Sequence, residues 1–218
     1  MPETKASLLI VDDELSIRTT LSNALTEIGY SVRTAGDGFS ALAELRQAIP
    51  DVLLSDLNMP GMSGYELLSV VRHRFPAIRT VAMSGAFCGD EVPSGVAADA
   101  FYQKGSSLGS LLRIVEALPQ TERHGFQPCR APAPLWIHRY GNDWQGKAPV
   151  TMTCPECFRT SSQALEGFGS LMREVICAHC GKSIEQAIAE PSEQPMVQAF
   201  QHRAPAANLA QNASKTSN

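Results

Sequence analysis

Along the first 120 residues, short apolar runs alternate with stretches in which apolar positions recur every three or four residues. The runs Leu8 to Val11, Val52 to Leu54 and Ile78 to Met83 have strand length, and each leads into helical spacing. The helical stripes are Ile17, Leu21, Leu25 and Ile28; Leu42, Leu45 and Ile49; Leu67, Leu68 and Val71; and Leu108, Leu111, Leu112, Val115 and Leu118. Each stripe can cover one face of a sheet. Gly29, Pro50, Pro76 and Pro119 punctuate the helix ends. The pattern predicts five βα units around a parallel sheet. Their fourth helix is short or irregular, because Gly89, Pro93 and Gly95 fall inside it.

Past residue 120 the alternation stops. Residues 121–134 include Pro128, Pro132 and Pro134 with little periodicity and read as a linker. A smaller domain is predicted over residues 135–189, its core formed by Trp136, Ile137, Tyr140, Trp144, Leu165, Phe168, Leu171 and Ile176. Residues 190–218, rich in Pro, Gln, Ala, Ser and Asn, carry the composition of a disordered tail.

Composition narrows the function classes. The chain has 218 residues, 44% of them hydrophobic, enough for one compact core and a small second module. The formal charge of −4 is uneven: residues 1–120 carry −5 and the remainder +1. A nucleic-acid binder normally shows a clear cationic surplus, so DNA binding is not favoured. Leu8 to Val11 is too short for a signal peptide or a membrane span, and a cytoplasmic protein with no membrane partner is expected.

Six cysteines include "CPEC" at 154–157 and "CAHC" at 177–180, with nineteen residues between Cys157 and Cys177. That spacing suits four thiolates around one Zn²⁺, with Cys154, Cys157, Cys177 and Cys180 as ligands and Gly181 permitting the tight second turn. A filled four-cysteine site is closed and hence structural. A thioredoxin-like redox role would need only one pair, at a helix start. His179 is expected to stay exposed inside its knuckle, and Cys88 and Cys129 to be free thiols.

The first half holds the reactive groups. In an open parallel sheet, ligands bind beyond the carboxyl ends of the strands, where strand order reverses. Asp12 and Asp13 end the first predicted strand and Asp56 ends the third. With strand order 2-1-3-4-5 those two strands are neighbours and three carboxylates converge. Two unit charges about 4 Å apart repel by about 4 kcal/mol at an effective dielectric of about 20, so a cation must sit among them. Oxygen-only ligands favour Mg²⁺ or Mn²⁺. A hard cation beside one accessible carboxylate suits phosphoryl transfer to Asp56 through an acyl phosphate. Ser84, in "VAMSG", offers a hydroxyl to one phosphoryl oxygen, and Lys104, in "AFYQKG", a charge to another. Each has an ordinary reading too: Asp12 as a helix cap, Asp56 as a turn residue, Ser84 and Lys104 as surface groups, and Tyr102 as core.

"LLIVDDE", "LLSDLNMPGMSGYELL", "VAMSG" and "AFYQKG" resemble the receiver domain of two-component response regulators over residues 6 to 120. The resemblance implies a flavodoxin-like fold with a 2-1-3-4-5 parallel sheet. It implies Asp56 as phospho-acceptor, with Asp13, Asp56 and the main-chain carbonyl of Asn58 as direct Mg²⁺ ligands and Asp12 acting through water. Ser84 and Tyr102 become the switch pair. A sensor histidine kinase or phosphotransfer protein is the implied phosphodonor. The chain departs from the family in having Gly105 after Lys104, where proline with a cis bond is usual; a trans bond is expected, since cis without proline costs about 2.5–4 kcal/mol.

Two output classes follow: a zinc-ribbon-like module that signals to a downstream protein partner, and a DNA-binding module in a transcriptional regulator. An enzymatic alternative, a phosphatase of the haloacid dehalogenase type, expects Asp-x-Asp, whereas Asp56-Leu57-Asn58 lacks the second acid. The expectation is a signalling switch rather than a metabolic enzyme.

Overall fold

The computed structural model describes residues 5–86, 92, 96–118, 134–138, 150–163 and 172–189. Its first part runs β1 (Ser7–Val11), α1 (Leu15–Glu27), β2 (Ser31–Ala35), α2 (Gly38–Gln47), β3 (Val52–Asp56), α3 (Gly64–Arg74), β4 (Arg79–Ser84), β5 (Ala100–Gln103) and α4 (Leu108–Ala117). The five strands form one sheet in the order β2-β1-β3-β4-β5, and every pairing is parallel. This is the flavodoxin-like topology the sequence predicts. No helix appears among the described residues between β4 and β5.

The strand sequences explain their places. All of β3 and β4 is buried, as central strands covered on both faces must be. Alternation then sorts side chains by face. Leu8, Ile10, Val52 and Leu54 pack with Leu21 and Leu25 of α1 and Leu111 and Val115 of α4. Leu9, Val11 and Leu53 pack with α2 and α3. The helices end where capping groups allow it: Asp37, Ser63 and Ser107 each accept a main-chain N–H with their side chains. One predicted stripe is cut short. The helix α2 ends at Gln47, so Ile49 lies beyond it and is exposed.

The second part comprises β6 (Leu135–His138), β7 (Val150–Thr153), β8 (Thr160–Gln163), β9 (Met172–Ile176) and β10 (Ser183–Ala189). The strands β7 and β8 form an antiparallel hairpin; β9 pairs antiparallel with β10, and β6 parallel with it. Trp136 and Ile137 are buried as predicted. Ile176 is not: it is 69% exposed, because alternation in β9 places it on the same side as the exposed Glu174 while Val175 faces the core. Tyr140, Trp144, Leu165, Phe168, Leu171, Cys88, Cys129, nearly all of the predicted linker and the predicted tail lie outside the described residues.

The two parts meet on α3. Every residue from Gly64 to Val71 is buried, and one apolar cluster runs from β3 through Leu67, Leu68 and Val70 to Leu135, Trp136 and Ile137. The Trp136 N–H donates to Ser69 Oγ at 3.1 Å, and the Thr153 N–H to Glu66 Oε1 at 2.6 Å. Ser63-x-x-Glu66 has the spacing of a capping box, yet this Glu66 oxygen serves β7.

Burial pushes the Glu66 carboxyl above its ordinary range against the opposing Thr153 hydrogen bond. A carboxyl raised in the folded state binds its proton more tightly there, so its stabilising contribution is complete below about pH 4.3 and is lost as pH rises through the folded value. Glu66→Gln keeps the acceptor and removes the charge. Melting curves of the variant and wild type are expected to coincide near pH 4 and to separate progressively toward pH 8, with the variant more stable. A constant difference across that range would contradict the assignment.

Candidate functional site

Three strand ends build the acidic pocket. Asp12 and Asp13 follow β1, Asp56 closes β3, and the parallel register setting Val11 beside Ser55 brings them together. One carboxylate oxygen from each lies within 4.8 Å of the others, a separation at which each like-charge pair repels by about 3–4 kcal/mol at an effective dielectric of about 20. Asp12 is fully buried, Asp56 is 4% exposed, and Asp13 is exposed at the mouth.

Lys104, just past β5, reaches into this cluster, its Nζ standing 2.8 Å from Asp12 Oδ2 and 3.0 Å from Asp56 Oδ2. No cis peptide occurs among the described residues, and Gly105 has φ +88°. The trans bond expected after Lys104 therefore leaves the ammonium in reach. Burial alone would lower the Lys104 pKa, but hydrogen bonds to Asp12 and Asp56 outweigh it and raise it. Burial raises Asp56, only partly offset by Lys104. The charged form of Asp56 is thus less favoured than in a free carboxylate, and three carboxylates against one bound ammonium leave an excess of negative charge that a divalent cation fits.

Neighbouring groups hold the frame. Asp12 Oδ1 accepts the Glu14 N–H at 3.0 Å, and Arg18 Nη1 donates to the Asp12 main-chain oxygen. The Asn58 N–H donates to the Asp56 carboxyl. Gly64, the first residue of α3, seats that helix against Asp56: a Cβ there would lie 1.9 Å from the Asp56 main-chain oxygen, so any other residue would displace helix or strand. Ser84 is buried at the end of β4, its Oγ accepting the Ala86 N–H at 3.1 Å. Tyr102 points inward, 5% exposed, and its hydroxyl donates to the Ser106 main-chain oxygen at 2.8 Å. Ser16, Ile17, Thr20 and Leu21 of α1 face Tyr102 and Gly105 across a cleft of about 220 Å³ that Lys104 also lines.

The model of the response regulator receiver domain matches residues 8–109. Residues 8–109 are a receiver domain of that kind. The chain is 34% identical over 145 residues to the DNA-binding transcriptional regulator NtrC of Salmonella typhimurium, a match spanning 65% of this chain and 30% of NtrC. It thus spans less than a third of that relative. Among solved structures it is similar to the chemotaxis response regulator CheY4 of Vibrio cholerae, with 33% identity, 52% of this chain and 98% of CheY4 covered and a TM-score of 0.47. It is also similar to the response regulator TrrA, solved in complex with the histidine kinase ThkA, with 29% identity, coverage of 51% and 97%, and a TM-score of 0.48.

Beside the receiver, the second part brings together all four cysteines of the two CxxC pairs. Their Sγ atoms lie within 4.8 Å of one another, Cys154 to Cys180 at 3.7 Å and Cys157 to Cys177 at 3.8 Å. Sulfurs about 2.3 Å from a tetrahedral Zn²⁺ stand about 3.8 Å apart, so the set fits that ion. Each knuckle closes with the same bond: Phe158 N–H to Cys154 O at 2.8 Å, and Gly181 N–H to Cys177 O at 2.9 Å. Burial pushes the Cys154 thiol up to about 12. Burial also opposes ionisation of Cys177, but N–H groups of His179 and Cys180 bring it down to about 6. His179 is exposed, as expected, with Nε2 3.0 Å from Thr160 O.

Sequence reasoning missed Arg18, Glu66 and Ser69. Arg18 acts on a main-chain atom, which no motif displays. Glu66 had a visible signal, an acid set among the apolar residues of "GYELLSVV".

Since burial and the neighbouring Asp12 raise the Asp56 pKa, Asp56→Asn is expected to stabilise the receiver when divalent cations are absent, by about 2–4 °C for each kcal/mol of desolvation and repulsion relieved. Calorimetry in chelator checks this. A lower melting temperature for the variant would show that the Asp56–Lys104 pair outweighs the crowding.

Proposed function

We propose that this chain is a phosphorylation-controlled switch whose receiver accepts a phosphoryl group on Asp56 from a sensor histidine kinase, a phosphotransfer protein or a small phospho-donor. The observation that carries the reading is the Lys104 ammonium bridging Asp12 and Asp56 beside a third carboxylate, Asp13. The carboxylate oxygen of Asp56 attacks phosphorus while the donor's bond to phosphorus breaks, and the electron pair leaves with the donor. Asp12, Asp13, Asp56 and the Asn58 main-chain carbonyl would hold Mg²⁺ or Mn²⁺, which supplies charge neutralisation for the phosphoryl oxygens. Lys104 gives one phosphoryl oxygen a fixed positive charge. Ser84 gives another a hydroxyl donor, trading its bond to Ala86, and Tyr102 reads that movement from its inward seat. The cleft between α1 and Gly105 lies beside Lys104, open to an approaching donor.

Zn²⁺ held by Cys154, Cys157, Cys177 and Cys180 would fix the second part as a zinc-ribbon-like module that passes the signal to a protein partner in the cytoplasm. A second reading, DNA-binding output, has support from NtrC, a DNA-binding transcriptional regulator. The charge of +1 on the second half favours the protein partner.

Intact-mass measurement after incubation with acetyl phosphate and Mg²⁺ is expected to show one added phosphoryl group on wild type and none on Asp56→Asn. Folded wild type that gains no mass would sink the proposal. Metal analysis of protein purified without chelator is expected to find about one zinc per chain. Phosphorylation-dependent, salt-sensitive binding to duplex DNA would transfer support to the second reading.

A further inference from the structure

The first knuckle, Cys154 to Phe158, and the second, Cys177 to Gly181, close with the same bond but differ in the residue that takes the left-handed turn. At the position where the second knuckle has Gly181, with φ +70°, the first has Phe158, with φ +56°. A phenylalanine in the left-handed region is strained, and glycine would close the same turn without strain. The Phe158 ring stacks against Phe75, the cap residue just past α3, with centroids 6.1 Å apart and planes 9° from parallel. The same helix offers Glu66 Oε1 to the N–H of Thr153, the residue before Cys154, and Ser69 Oγ to Trp136 of β6. Two contacts on α3 and one at its C-terminal cap residue therefore engage the cysteine module, two of the three through residues adjacent to a metal-ligating position. At its other end, α3 is seated on the Asp56 carbonyl through Gly64.

We propose that the four-cysteine module is a metal-dependent brace on α3, so that metal loading orders this helix and sets the position of the phospho-acceptor. The outward face of α3 is the docking surface and the first knuckle its occupant. Metal fixes the turn that carries Phe158 and the strand end that carries Thr153; without it, the contacts on Phe75 and Glu66 lose their partners' fixed geometry. Coupling of this kind is reciprocal, so a change at the Asp56 pocket that moves α3 also changes metal affinity. This rests on the reading of the four cysteines as a zinc site.

The test uses the full chain, zinc-loaded or treated with a zinc-selective chelator, with Mg²⁺ in excess throughout. Hydrogen exchange is followed by mass spectrometry at α3, with β1 and β3 as internal controls, and phosphoryl gain from acetyl phosphate is timed in parallel. Chelation is expected to speed exchange of residues 64–71 by about tenfold while β1 and β3 stay protected, and to slow phosphoryl gain by about 2- to 30-fold. Phe158→Gly is expected to retain one zinc, since it relaxes the turn, yet to show fast α3 exchange even when loaded. Phe75→Ala, which leaves the module's sequence intact, should do the same. Zinc that binds without altering α3 exchange overturns the brace and leaves the zinc site standing. Wild type that binds no zinc overturns both.

Discussion

Crowding of three carboxylates at adjacent strand ends is the constraint from which the rest of the pocket follows. The parallel register of β1 and β3 forces Asp12, Asp13 and Asp56 together, and each pair costs about 3–4 kcal/mol at an effective dielectric of about 20. The fold meets that cost with Lys104, delivered by β5 from two strands away. The remaining negative charge calls for a divalent cation. Burial, more than the neighbouring carboxylates, raises the Asp56 pKa, and the Lys104 ammonium opposes that rise.

The helix α3 links this pocket to the second part of the chain. In an open sheet covered by helices, an outer helix normally turns one face to solvent. Here residues 64–71 are all buried, and the polar groups on the outward side, Glu66 and Ser69, accept N–H groups from β7 and β6. A helix seated on the Asp56 strand at one end and stacked against a cysteine knuckle at the other belongs to both units. The second part is therefore packed on the receiver rather than merely tethered to it.

Much of this was legible because the signals are local and periodic. Leu8 to Val11 and Val52 to Leu54 read as strands because central strands are apolar on both faces, and Asp12, Asp13, Asp56, Ser84 and Lys104 were visible because they stand at strand ends. The edge strand β2, Ser31–Ala35, carried no apolar run, since of its five residues only Ala35 is buried. Ile49 was assigned to a core by helical spacing and Ile176 by hydrophobicity, and both are exposed: one lies past its helix end and the other sits on the outward phase of an edge strand. The docking on α3 was hidden for another reason. It relies on main-chain donors at Thr153 and Trp136 and on a strained turn at Phe158, and none of these announces itself in residue identity.

The most direct measurement of the central claim is a Mg²⁺ titration of the full chain followed by backbone amide NMR. Saturable shifts concentrated at Asp13, Asp56 and Asn58, and lost in Asp13→Asn, are the predicted result. Amides at those positions that do not respond to Mg²⁺ while the chain remains folded would show that Lys104 alone suffices for the three carboxylates, and the account would fail at its root.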